Sequence, residues 1–414
     1  MNSIGFIGLG KLGLDCAEVF SEQYKVYGYD IYPRKSDVVN ICNNLKELVK
    51  KSDWIFIAVP TPHDEGYDGS VPSSHMEPRD FDHDAVIKTL ISINEHASIP
   101  KNIVLISTVL PGTTRKKFVD ILDKKHQFFY NPYLIAMGSV KWDMVNPEMI
   151  MIGTETGNHT DAQELIDIYQ PIMQNDPRYI VGTWDECEAI KIFYNTFIST
   201  KIGLVNMIQD CAMKIGNINV DVVTDALANS TMRIMGPKYM TAGMGDSGAC
   251  HPRDNIALRW LAEEYDLGYD LFDTIMTARE QQAKNLAKFL VDQSQDNNNI
   301  PIVIHGKSYK PNVPYCIGSY STLVGHYVKE LGHSVSYVDP LADDATDIVD
   351  NVASPAVILL AHNRKITYGY TGEEADDEAY FEFAPGSIII DPWRKTEQKY
   401  NMKVIHYGNT RTEK

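Results

Sequence analysis

Along the first part of the chain, short apolar runs alternate with stretches whose apolar residues recur every three or four positions. The runs at 3–7, 25–29, 53–59 (DWIFIAV) and 102–107 (NIVLIS), with another around Met149 to Ile152, predict strands. Strands that alternate with helical patterns predict a parallel, doubly wound sheet covered on both faces. From about Trp184 to Asn297 helical periodicity takes over with almost no strand signal, and the first helix of this stretch is expected to run about thirty residues. A helix that long bridges domains or builds a subunit interface. Asn297 to Pro301 breaks the pattern, and apolar runs return at 302–305 (IVIH), 334–338 (SVSYV), 356–360 (AVILL) and 387–391 (SIIID). The expected organisation is a first α/β domain over 1–183, a central helical region over 184–297 and a second α/β domain over 298–414. The His- and Asp-rich stretch His63 to Asp84 reads as irregular, and the acidic run Glu373 to Glu378 as a solvated loop.

Composition narrows this picture only a little. At 414 residues with 44% hydrophobic content, the chain supports two or three domains with cores of their own. A net charge of -17 argues against binding nucleic acid or an anionic membrane, and says nothing positive about a substrate. Six scattered cysteines, Cys16, Cys42, Cys187, Cys211, Cys250 and Cys316, show neither metal spacing nor a disulfide-dense pattern. A reducing compartment, the cytoplasm, is the expectation. No apolar run approaches the length of a membrane span, and the apolar start lacks the basic leader of a signal peptide.

Two stretches carry candidate chemistry. Ser3 to Val26 (SIGFIGLGKLGLDCAEVFSEQYKV) is an apolar run ending in Gly8, Gly10 and Gly13, then a helical pattern, then a second strand that closes on Asp30. Strand, glycines, helix, strand and acid follow in the order of a dinucleotide-binding βαβ unit, so the first domain is expected to be Rossmann-like. The glycines permit a tight turn and close approach of a pyrophosphate, while Asp30 would bond the adenosine ribose and so favours NAD over NADP. Arg34 and Lys35 either steady the adenosine side or form a solvated charge pair. The second stretch, Gly243 to Leu258 (GMGDSGACHPRDNIAL), places Cys250 in a glycine-rich turn before a helix expected to open near Asp254. A helix N-terminus favours thiolate, which makes Cys250 a candidate nucleophile. The residues alone leave an ordinary loop cysteine equally open.

Two further patterns are set aside. Gly306-Lys307-Ser308 follows a strand as in a phosphate-binding P-loop, but that motif also needs a glycine where this chain has Pro301. His63, Asp64, Asp68, His75, Asp80, Asp82 and His83 are enough ligands for a metal but lack defined spacing, so no metal is expected and a loop over the cofactor cleft is preferred.

In order along the chain, GLGKLG, STVLPGTT (Ser107 to Thr114), EAIKIFYN (Glu188 to Asn195), the Cys250 segment and GKSYKPN (Gly306 to Asn312) resemble the motifs of the UDP-glucose/GDP-mannose dehydrogenase family. The resemblance spans nearly the whole chain. It implies two Rossmann-like, doubly wound domains joined by a central helical region that pairs two copies into a homodimer. It further implies an NAD site on the first domain, built from Gly8, Gly10, Lys11, Leu12, Gly13, Asp30, Lys35, Thr61 and Thr108. The C-terminal domain would grip the nucleotide of a sugar donor.

Carried over residue by residue, the resemblance gives Cys250 as nucleophile, with Lys191, Asn195 and Asp254 around it and Thr108 beside the nicotinamide. Hydride passes to NAD while water held by Lys191 and Asp254 takes the hydroxyl proton. Thiolate then traps the aldehyde, a second hydride transfer makes a thioester, and water releases the acid. Lys191 and Asn195, four apart, share one helix face and suit the oxyanion; without the resemblance they read as a solvated face. Arg233, Tyr239, Gly243, Tyr309 and Lys310 are the implied substrate contacts, although either tyrosine reads equally as core.

The chain also departs from the family pattern. Tyr133 stands where the usual acid for thioester hydrolysis is expected and Met137 at the second position, so hydrolysis is expected to be slow. Glu148 belongs to a different segment and is no replacement. Pro314, Tyr315, Cys316 and Ile317 replace a segment whose arginine would reach the cofactor. Asp246, Ser247 and Ala249 replace an aromatic, a glycine and a serine before Cys250, and His251 beside it is unusual. The leading expectation is oxidation of UDP-glucose to UDP-glucuronate. GDP-mannose, a UDP-N-acetyl sugar or a non-oxidising binding role are the alternatives. A 3-hydroxyacid dehydrogenase would explain neither Cys250 nor the second α/β domain.

Overall fold

The computed structural model describes residues 2–62, 80–135, 139–236, 241–246, 252, 255, 259, 260, 262–364, 367–369, 380–397 and 403–409. Two compact units divide the chain, Met1–Gly203 and Leu204–Lys414.

The first unit is built on eight strands: β1 (Ser3–Ile7), β2 (Lys25–Tyr29), β3 (Asn40–Ile41), β4 (Trp54–Ile57), β5 (Asn102–Leu105), β6 (Gln127–Tyr130), β7 (Met149–Thr154) and β8 (Arg178–Thr183). They lie in the order β3-β2-β1-β4-β5-β6-β7-β8. Every pairing is parallel except β6 with β7. Between those two strands the helix α4 (Val140–Val145) has only 6 residues. It spans about 9 Å, too short to carry the chain back along the sheet. The chain therefore enters β7 from the end at which it left β6, a reversal that alternation alone does not reveal.

The central strands are apolar throughout because both of their faces are covered. In β4, Trp54 and Phe56 face one core with Phe6, Phe20 and Phe129, while Ile55 and Ile57 face the other with Leu48, Val86, Leu90 and Leu105. The covering helices are α1 (Gly13–Phe20), α2 (Leu45–Lys51), α3 (Asp84–His96) and α5 (His159–Tyr169), besides α4. Burying each large side chain contributes about 1.5–3 kcal/mol, so these two faces dominate the unit's stability. Phe6 and Phe56 stack with centroids 5.0 Å apart, and Trp54 lies 5.5 Å from Phe129.

A single helix α6 (Trp184–Ile215) of 32 residues contains the boundary between the units. The second unit continues with α7 (Val220–Ala228) and α8 (Leu271–Gln295), whose N-cap Asp270 accepts the Asp273 N–H at 2.9 Å. Then come β9 (Ile302–His305), α9 (Tyr320–Glu330), β10 (Val335–Val338), β11 (Val357–Leu360), the small pair β12 (Thr367–Gly369) and β13 (Tyr380–Glu382), β14 (Ile388–Asp391) and β15 (Lys403–His406). The five-stranded sheet runs β10-β9-β11-β14-β15 and is parallel throughout. Its strands therefore stand in the order 2-1-3-4-5, a second doubly wound arrangement with its switch point between β9 and β11. Glu373 to Glu378 and residues 63–79 lie outside the described residues. Among the described residues no helix is long and apolar enough to cross a membrane.

Candidate active site

The carboxyl ends of β1, β2, β4 and β5 gather most of the expected cofactor residues. Gly8, at φ +91°, would place a Cβ 2.6 Å from the Ala58 carbonyl, and a Cβ on Gly13 would stand 1.9 Å from the Gly8 carbonyl oxygen. Close packing of turn, helix and neighbouring strand thus excludes any side chain at either position. Gly10 differs, because a Cβ there meets nothing within 4 Å. Its missing side chain leaves room above the turn, and no side chain caps the first turn of α1. Open backbone at an uncapped helix start suits a pyrophosphate. Asp30 accepts the Leu9 N–H at 2.7 Å and the Tyr32 N–H at 2.8 Å, with Arg34 at 3.6 Å. Its carboxylate is thereby fixed beside the turn with acceptor capacity to spare for a ribose. Lys11 and Lys35 are exposed, and Leu12 packs against the first core. Thr61 donates to the Thr108 carbonyl at 2.7 Å, joining the segments that follow β4 and β5. These residues fit NAD.

On α6 the first turns are fastened to that sheet by a residue whose importance the sequence did not reveal. Glu188 is fully buried and accepts the Gly112 N–H at 2.6 Å and the Thr114 N–H at 2.8 Å. Burial pushes its carboxyl above the usual range. The pairing joins the STVLPGTT turn to EAIKIFYN, and Arg115 adds an ion pair with Asp185 at 2.9 Å. The available signal was an acid beside the apolar Trp184 and Cys187 on one helix face. One turn further, Lys191 donates to the Tyr133 carbonyl at 2.6 Å, and burial lowers the pKa of its ammonium. Asn195 lies on the same face of α6 and is exposed.

Tyr133 itself is held in a tyrosine pair. Its hydroxyl lies 2.7 Å from that of Tyr169, which donates to the Asn131 side chain. Burial pushes both phenols well above their ordinary range. A neutral phenol therefore stands where the resemblance leads one to expect a carboxylate. Glu148 is exposed, tied to Arg178 at 3.3 Å and to the Tyr194 hydroxyl at 3.4 Å.

In the second unit Arg233 is exposed, and Lys310 holds its ammonium 5.2 Å from the ring centre of half-buried Tyr309. Gly243 lies against Trp393. Cys250, Asp254, Tyr239, His251, Ser247, Ala249 and Met137 lie outside the described residues. Among the described residues no group of three or more His, Cys, Asp or Glu is placed to hold a metal ion.

The GKS run has a structural explanation. A Cβ on Gly306 would stand 2.7 Å from the His362 ring, and buried Lys307 pairs with Asp344 at 2.8 Å and the Asp344 carbonyl at 2.9 Å. Ser308 donates its hydroxyl to Asp339 at 2.7 Å, and the Ser308 carbonyl lies 3.0 Å from His362 Nε2. Lys307 ties down the loop after β10 and is not free to act as a P-loop lysine. Burial first, and Arg364 second, pushes His305 down to about 3, and burial lowers His362 as well. The His305 imidazole therefore stays neutral in the fold well below the pH of about 6.5 at which the unfolded chain protonates it, and His362 shifts in the same direction. Stability is therefore complete above that value and lost on acidification, by about 1.4 kcal/mol per pH unit for each fully affected histidine, levelling for His305 near pH 3. Urea midpoints followed by tryptophan fluorescence are expected to fall between pH 7 and pH 4.5, with His305→Asn flattening the fall; a constant midpoint would contradict this.

A glycine turn at the head of a mostly parallel, doubly wound sheet, with an acid closing the second strand, defines a dinucleotide-binding domain. The profile of the UDP-glucose/GDP-mannose dehydrogenase family, NAD binding domain, matches residues 34–173, and that of the family's central domain matches residues 185–281. The chain belongs to this family, and its cofactor is NAD. It is a nucleotide-sugar dehydrogenase acting on CH–OH groups.

Among its relatives, UDP-glucose 6-dehydrogenase TuaD of Bacillus subtilis is 27% identical across 98% of this chain and 86% of its own length. UDP-glucose 6-dehydrogenase of Rhizobium meliloti is 25% identical across 73% of this chain and 67% of its own. The fold matches that of GDP-mannose dehydrogenase from Pseudomonas aeruginosa with a TM-score of 0.78 at 18% identity, covering 97% of this chain and 99% of that one.

Proposed function

We propose that the protein oxidises the primary alcohol of UDP-glucose to the carboxylate of UDP-glucuronate in two successive steps. The observation that carries the reading is Lys191, a half-buried amine on α6 whose ammonium is aimed at the carbonyl of residue 133, one helical turn before Asn195. Similarity to UDP-glucose 6-dehydrogenases supports the donor. NAD held at the Gly8, Gly13 and Asp30 turn would supply the hydride acceptor, a first NAD for the alcohol and, after exchange, a second for the adduct. Lys191 and Asp254 hold the water that removes the hydroxyl proton in the first step. Cys250 attacks the resulting aldehyde as thiolate, forming a C–S bond and an oxyanion that Lys191 and Asn195 stabilise as donors. After the second oxidation, water cleaves the thioester, returning the thiol and releasing the acid. Arg233 and Lys310 supply charge for the pyrophosphate, a role to which exposed basic side chains are suited. We further propose a homodimer through the central helical region. Phe193 and Phe197 of α6 are 65% and 51% exposed, an unusual cost for a helix facing only water.

With UDP-glucose limiting, two NADH and one acid are expected per sugar, from a preparation that light scattering sizes at twice the chain mass. One NADH would mean that the aldehyde is released. Turnover only with GDP-mannose or a UDP-N-acetyl sugar would reassign the donor, and none with any donor would leave a binding protein.

A further inference from the structure

We propose that Arg279 is a positioning residue for Cys250, acting through the strap that leads to it. The inference rests on the role proposed for Cys250 above. Residues 241–246 end four positions before that cysteine, a distance of at most about 14 Å along the chain.

The strap is held from several directions by α8, α9 and the segment after β14. A Cβ on Gly243 would stand 2.2 Å from the Trp393 ring, and one on Gly245 would stand 2.2 Å from the Tyr320 ring. Backbone therefore lies directly against two aromatic rings, where no side chain fits. Both rings are themselves fixed. The Trp393 indole donates to the Ala361 carbonyl at 3.1 Å, and the Tyr320 hydroxyl donates to the Arg279 carbonyl at 3.0 Å. Arg394 donates to the Ala242 carbonyl at 2.6 Å.

Arg279, on α8, closes the arrangement. Its Nε donates to the Asp246 carboxylate, its Nη2 lies 3.4 Å from the Asp246 carbonyl, and its guanidinium sits 5.4 Å from the Tyr320 ring centre. The Arg279 side chain is 11% exposed and that of Asp246 31%, so the pair is partly shielded from water and stronger than a fully exposed ion pair. Arg279 grips both the side chain and the main chain of one residue and braces the ring on which the strap rests. Asp246 stands where the family resemblance leads one to expect an aromatic, so the ion pair is this chain's own means of fixing the end of the strap. Catalytic groups on loops depend on such support, since a displacement of about 1 Å costs roughly 10²-fold in rate.

Arg279→Gln is expected to lower kcat with UDP-glucose roughly 10²-fold while KM stays within about 3-fold, with Arg279→Lys intermediate. The rate of Cys250 alkylation by iodoacetamide, measured across pH on protein without substrate, should change in parallel. The exchange Asp246→Arg with Arg279→Asp should restore both to within about tenfold of the parent. Parental kcat and alkylation in a folded Arg279→Gln protein would overturn the proposal, as would an exchange variant that folds but is no better than the single changes. If the parent oxidises no nucleotide sugar, the proposed function fails, yet the alkylation comparison still decides whether Arg279 positions Cys250.

Discussion

Cys250→Ala is expected to abolish formation of the acid, lowering its rate by on the order of 10³-fold or more, while leaving NAD binding intact. The argument is chemical. An aldehyde at the sugar carbon lacks the electron-rich tetrahedral form from which a second hydride departs, and the thiolate adduct supplies that form. Without sulfur the product stops at the aldehyde or its hydrate. The unaltered protein should show the complementary effect, an acyl group on Cys250 in intact-protein mass spectra after rapid quenching. Tyr133 is the reason, because its phenol is neutral, paired with Tyr169 and pushed well above its usual range by burial. It offers no base to activate water near neutrality. Acid formation at the parental rate by the alanine variant would remove Cys250 from the chemistry. A parental protein that never carries the acyl group would show that another group speeds hydrolysis.

Gly13→Ala is expected to cost both fold and cofactor. The added carbon would lie 1.9 Å from the Gly8 carbonyl oxygen and 3.3 Å from the Ala58 side chain, so backbone must move. Overpacking of this kind costs about 1–3 kcal/mol, and the same displacement carries the turn away from the pyrophosphate, weakening NAD roughly a hundredfold. Gly10→Ala supplies the contrast, since its Cβ meets nothing within 4 Å. The melting temperature should then stay unchanged while NAD still weakens, because the methyl occupies the space left for the cofactor. Calorimetric titration with NAD beside thermal melts separates the two. Undiminished affinity in Gly10→Ala would mean that the open side of the turn is not where the pyrophosphate lies.

Much of the fold was legible because buried parallel strands are continuous apolar runs. The runs at 3–7, 25–29 and 302–305 coincide with β1, β2 and β9, and the long helix expected from Trp184 runs to Ile215. The strands that escaped notice, β3, β6, β8, β12, β13 and β15, are short or stand at the edge of their sheets, where four residues such as QFFY do not separate from a helical pattern. The antiparallel entry of β7 left no local mark at all.

The glycine turn with Asp30, the two doubly wound layers and the family itself were determined by the sequence, because each rests on short-range order: periodicity, turn chemistry and motifs in series. Only the tertiary structure decided that Glu188 fastens α6 to the Gly112 turn, that Lys191 points at the Tyr133 carbonyl, that Lys307 is structural, and that Asp246 meets Arg279. Most of these partners are tens of residues apart, and a buried ion or amine can be assigned a task only once the group that satisfies it is known.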